Sequence, residues 1–259
     1  MESIIDVRTS VKRPWGVFFT SFFYAMIGAI LAYSVMPSDV SLSMVFFSAM
    51  AGIPLLVKLL QKEERKEVVF GKPIIKTHTD VLSIMFFMFF GMLAFYTSFA
   101  VILPEDSFRW FFDRQIDVIN NVSGAATSER VLEMILANNL KVLAFVTIFS
   151  FIYGAGAIFI LNWNASVLGA ALGNVIREEM SRIGIEQAIP LALGRYMVHG
   201  TLEMIAYFLG AIAGGIISAA VVRHDYRSSK FKEVVLDSLD TLVLASITLI
   251  IAAVLEVYL

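Results

Sequence analysis

Long uncharged apolar runs alternate with short polar segments along most of this chain. A helix needs about 20 mostly apolar residues to cross ~30 Å of hydrocarbon. Residues 15–36 meet that test, with Arg8, Lys12 and Arg13 in front and Trp15 at the expected interface. Residues 42–60 meet it too, with Pro54 inside as an expected kink. So do the Phe-rich run 81–103, the run 140–161 with Gly154 and Gly156, and the runs 197–222 and 239–259. The pattern predicts an all-α polytopic membrane protein with about six transmembrane helices. The first run exceeds the 7–15 apolar residues of a signal peptide and reads as a retained helix.

The connections carry their own patterns. Residues 58–80 are strongly charged. Residues 104–139 interleave Phe108, Trp110, Phe111, Phe112, Ile116 and Val118 with Arg109, Asp113, Arg114 and Asp117. That alternation predicts a short amphipathic helix lying in the membrane interface. Residues 162–174 hold an apolar stretch of about ten residues between Asn162, Asn164 and Asn174, too short to span. A re-entrant helix is favoured there over a helix on the membrane surface, with 186–193 and Pro190 as the returning arm. The chain divides into an N-terminal membrane region (1–128), a core (129–222) and a last loop and span (223–259). With six spans, basic residues favour a cytoplasmic N-terminus, twelve against eight, although the loop near 223–232 resists the rule.

Composition agrees with this picture. Of 259 residues, 58% are hydrophobic and 16% charged, and the mean hydropathy is +0.79. Ordinary soluble enzymes, disordered chains and disulfide-stapled domains are excluded. The absence of Cys removes disulfides, thiolate metal sites and cysteine nucleophiles. A net charge of −2 gives no electrostatic basis for nucleic-acid binding.

Polar residues at membrane depth cost free energy unless they are partnered. Arg195, His199 and Glu203 recur at every fourth position, on one helical face. Further along that helix, Gly210 and Gly214 form a small-residue stripe that lets a second helix approach. The expectation is a polar intramembrane cluster of Arg195, His199 and Glu203, within reach of Glu133, Asn138, Asn139, Asn162 and Asn164. Gly154, Gly156, Gly169, Gly173, Gly210 and Gly214 are the helix-packing positions, and self-association through such faces is expected.

Paired Asn138-Asn139 before a Gly-containing span, an Asn-rich segment with Gly169 and Gly173, and His199-Gly200-x-x-Glu203 opening a span with Ala206, Gly210, Gly214 and Gly215 together resemble the stage II sporulation protein M family. The match covers about residues 129–222, and the first 125 residues carry no such signature. The resemblance implies an integral membrane protein without established catalytic activity. The name-giving member helps assemble a septal complex with peptidoglycan-degrading partners. Relatives occur in organisms that form no spores, archaea included.

The residues argue against most enzyme chemistry. His199 and Glu203 make half a helical zinc site, but no second His follows at helical spacing, so no metal or cofactor is expected. No Gly-x-Ser-x-Gly elbow and no Gly-rich phosphate loop occurs. Three readings remain. The first is a non-enzymatic scaffold or assembly factor of the cell membrane, with the bilayer, its own copies and envelope proteins as partners. The second is a transporter or channel whose path is lined by Arg195, His199, Glu203 and the Asn residues. The third, an intramembrane enzyme, ranks last.

Overall fold

A computed structural model describes residues 14–64, 79–122, 128–153, 156–223 and 228–258. The packing glycine expected at Gly154 and most of the charged 58–80 connection lie outside them. The described residues are all-helical. They form α1 (Pro14–Val35), a 3-10 turn (Pro37–Asp39), α2 (Val40–Glu64), α3 (Thr79–Ile102), α4 (Glu105–Phe111) and α5 (Asp113–Val122). These are followed by α6 (Ser128–Tyr153), α7 (Ala157–Ile183), α8 (Ile185–Arg223) and α9 (Ser229–Tyr258).

Seven of these helices are long and apolar enough to cross a membrane: α1, α2, α3, α6, α7, α8 and α9. Contacts at the helix ends fix how they alternate. Trp15 meets Phe87 at one end of the bundle, where Gly52 of α2 also approaches Ile158 of α7. At the other end Tyr33 packs on Trp110, and Arg114 pairs with Asp39. The α4–α5 pair caps that second end, and the turn between α7 and α8 lies there too, at Gly184 with φ 82°. An odd number of crossings leaves the start of α1 and the end of α9 on opposite sides.

The seventh crossing is α7, where a re-entrant helix was expected. It is one continuous helix of 27 residues. Its polar residues are not caps. Asn162 is buried and donates to the Val45 carbonyl of α2, 2.9 Å away. Asn164 donates to its own helix at Ile160, and Ser166 to Trp163. Partnered in this way, Asn and Ser lower the hydropathy of a span without breaking it. The expected returning arm at 186–193, Pro190 included, forms the opening turns of α8.

The amphipathic segment also differs from expectation. It forms two short helices instead of one, and their apolar side turns into the bundle instead of into lipid. Phe108, Phe111 and Phe112 are buried. Gln115 is completely buried, accepting from Ser41 of α2 at 2.5 Å and donating to Ser166 of α7 at 3.0 Å. Asp113, Arg114 and Asp117 face outward.

Arg177 closes the same end of the bundle. Its guanidinium donates to the carbonyls of Ala100 and Leu103 at the end of α3, and to Glu105 of α4. It also lies 5.0 Å from the centre of the Phe108 ring. The last carbonyls of a helix lack internal partners, and a cation there satisfies them. Glu105 sits beside Arg109 first and Arg177 second, and they hold its carboxyl below the usual carboxylate range. Its small, solvent-screened contribution is therefore present above pH ~4.3 and lost as pH falls further.

Backbones approach closely at glycines. A Cβ on Gly91 of α3 would strike the Phe18 carbonyl of α1. Gly169 and Gly173 of α7 are occupied by Tyr96 and Ala100 of α3. Gly210 and Gly214 of α8 meet Leu143 and Thr147 of α6, in register, so α6 and α8 run parallel. Gly156 is seated on the Phe149 carbonyl. The stripes expected to carry self-association are therefore filled from within the chain. Gly194 of α8 has nothing within 4 Å of its missing Cβ. We expect Gly91→Leu to lower stability by more than about 2 kcal/mol through overpacking, and Gly194→Ala to raise it by about 0.5–1 kcal/mol. Thermal unfolding in detergent distinguishes the two.

Candidate functional site

The polar residues at depth collect where α6, α8 and α9 meet. Asn139 is 5% exposed although it sits in the middle of α6. Its amide donates to Glu203 of α8 at 2.5 Å, and Asn138 donates to the Asn139 side-chain oxygen at 3.4 Å. The carboxyl of Glu256, two residues before the end of α9, lies near that of Glu203. Tyr207, one helical turn after Glu203 and buried, faces both carboxyls.

Each member stands at the edge of an apolar run. Leu140 follows Asn139, Met204 follows Glu203, and Leu255 precedes Glu256. Fourteen residues separate Asn139 from the end of α6 at Tyr153, about 21 Å of helix. The cluster therefore lies in the half of the bundle nearer the α4–α5 cap. The set offers two carboxyls, an amide and a phenol as hydrogen-bonding groups.

The expected cluster is assembled only in part. Asn139 and Glu203 touch, and Asn138 is attached to them. Arg195 lies two turns away, exposed, with its guanidinium 5.5 Å from the Tyr196 ring centre. His199 is half-buried and meets the same ring edge-on at 6.4 Å. Among the described residues no cation pairs with Glu203. The regular spacing puts Arg195, His199 and Glu203 on one stripe, but long side chains on a stripe meet only where a neighbouring helix closes them in. Glu133 is exposed. Asn162 and Asn164 belong to the α2–α7 contact and to α7 itself.

Glu256 was missed, as were Tyr207 and the buried Gln115. A signal for Glu256 existed: it is a carboxyl bounding the uncharged run 241–255, as Glu203 bounds 204–222. Among the described residues no three His, Cys, Asp or Glu come together as a metal-binding group. A cavity of about 10 Å³ beside Leu56, Met88, Ile158 and Phe208 is almost wholly apolar and has room for at most one water.

The model of the family described as Stage II sporulation protein M matches residues 81–259. The chain belongs to the stage II sporulation protein M family. No curated protein and no solved structure matches it. The match is wider than the 129–222 expected from motifs. It spans α3 to α9, so the Asn139–Glu203–Glu256 cluster and the Arg177 clamp both lie within the stage II sporulation protein M core. The helices α1 and α2 lie outside it.

Asn139→Ala withdraws the amide from Glu203 and leaves a carboxyl at depth short of a donor. A loss of about 1–3 kcal/mol is expected, against no measurable change for exposed Glu133→Ala. Thermal unfolding of the two purified variants checks this.

Proposed function

We propose that this stage II sporulation protein M homologue is a non-enzymatic membrane scaffold that binds partner proteins through the hairpin of α7 and α8. The carrying observation is the reach and surface of that hairpin. α8 has 39 residues, about 58 Å of helix, roughly twice the thickness of a bilayer core. Arg177 is tied to the end of α3, so α7 beyond Arg177 and the opening turns of α8 extend past that end. Ala188 and Ala192 face inward, while Ile183, Ile185, Ile189 and Leu191 are 37–52% exposed. Apolar side chains gathered on a projecting element fit a protein partner. The filled interior and the assembly role implied by the family resemblance agree.

Seven crossings also reconcile the charges. The segment before α1, the α2–α3 connection and the α8–α9 connection now share one side, with thirteen basic residues against seven on the other. The loop that resisted the rule joins the basic side. We infer that this side is cytoplasmic, which turns the α7–α8 hairpin and the α4–α5 cap outward from the cell membrane.

A second reading, a transporter, rests on the carboxyl pair shared by three helices. Two assays separate the readings. Ile185→Ser with Leu191→Ser should reduce co-purification of membrane partners at least tenfold without changing the unfolding temperature. Proteoliposomes should show no ion flux dependent on Glu203. Flux that disappears in Glu203→Gln would move the function to transport.

A further inference from the structure

We propose that the face of α6 turned away from α8 is a docking surface for a membrane-spanning helix of a partner protein that carries a carboxylate opposite Lys141. The carrying observation is the place of that lysine. The membrane-crossing part of α6 runs Arg130–Tyr153, and Lys141 stands halfway along it. Each end is about 17 Å away, beyond the reach of a four-carbon stem. Lys141 follows Asn139 by two residues, about 200° round the helix, whereas Asn139 points at Glu203 of α8. It is exposed, and among the described residues no carboxylate pairs with it. An ammonium facing hydrocarbon at this depth is costly and calls for a partner.

The rest of that face suits a helix. Only 28% of this crossing is buried within the chain, the least of the seven. Ala137 and Ala144 flank Lys141 on one stripe and are exposed, and small residues let a second backbone approach. Met134, Phe145 and Ile148 are exposed beside them and supply apolar area, and Asn138 adds an exposed hydrogen-bonding group. Charge decides the occupant. A second copy of the chain, meeting this one through α6 about a two-fold axis along the membrane normal, would set Lys141 against Lys141, and like charges repel. A carboxylate on a different helix neutralises the ammonium instead. The face is separate from the α7–α8 hairpin, so its test is independent of the one given for the hairpin.

The chain contains no Cys, so Tyr153→Cys, an exposed position at the end of α6, carries a single donor dye. The probe is a synthetic Leu-Ala transmembrane peptide with one central Glu and an acceptor dye, mixed with the full chain in neutral-lipid vesicles. Energy transfer at rising peptide-to-lipid ratio gives the strength of association. The expected result is association about tenfold stronger for the Glu peptide than for the same peptide with Leu at its centre. Lys141→Leu should abolish that preference, Lys141→Arg should keep it, and Lys141→Glu should move it to a peptide with a central Lys. Equal association of the Glu and Leu peptides overturns the proposal, and this comparison needs no substitution at Lys141. So does a preference for Glu that survives Lys141→Leu, because another group would then recognise it. In a third arm, donor-labelled and acceptor-labelled copies of the chain are mixed without peptide. Energy transfer between copies that is lost in Lys141→Leu would assign the face to a second copy and overturn the proposal.

Discussion

Hydrocarbon offers no hydrogen-bond partner, and a polar side chain at depth costs free energy unless it finds one inside the protein. That requirement organises this bundle. Asn162 reaches a carbonyl on α2, Gln115 joins Ser41 to Ser166, and Asn139 meets Glu203. Each bond crosses between helices that the hydrophobic effect alone would leave free to slide, since lipid tails are as apolar as their Leu and Phe side chains. The polar residues therefore fix register, and the apolar ones supply area.

Glycine is the second organising element. Where Gly91, Gly169 and Gly214 let backbones touch, dispersion and shape do the packing that a larger residue would prevent. Both Gly-x-x-x-Gly stripes are consumed in this way, one on α3 and one on α6. Surfaces open to other molecules are consequently of a different kind: bulky, apolar and away from the stripes, as at the α7–α8 turn.

The helical class and most spans were legible because length and hydropathy decide them. The helix α7 was not, because its three polar residues read as interruptions until their partners on α2, α5 and its own backbone are known. The apolar face of 104–122 was visible, but whether it meets lipid or protein depends on α2 and α7 lying beneath it. In the site, Glu203 and Asn139 were recognisable as polar residues out of place. Their pairing required knowing that α6 and α8 run parallel. Glu256 escaped because a carboxyl near a chain end reads as a surface group until α9 folds back along α8. Arg195 was favoured on spacing alone, and spacing cannot tell whether a side chain points at its neighbour or away.

The boundary of the family match falls at a polar seam. The α1–α2 pair lies outside residues 81–259, yet Val45 and Ser48 of α2 accept hydrogen bonds from Asn162 and Tyr96 of the matched region, and Ser41 of α2 donates to its Gln115. The front pair is thus a plug as much as an addition. A five-crossing core stripped of it would turn an amide, a carboxamide and a phenol toward lipid. Asn162, Gln115 and Tyr96 are accordingly the points at which this core depends on its front hairpin.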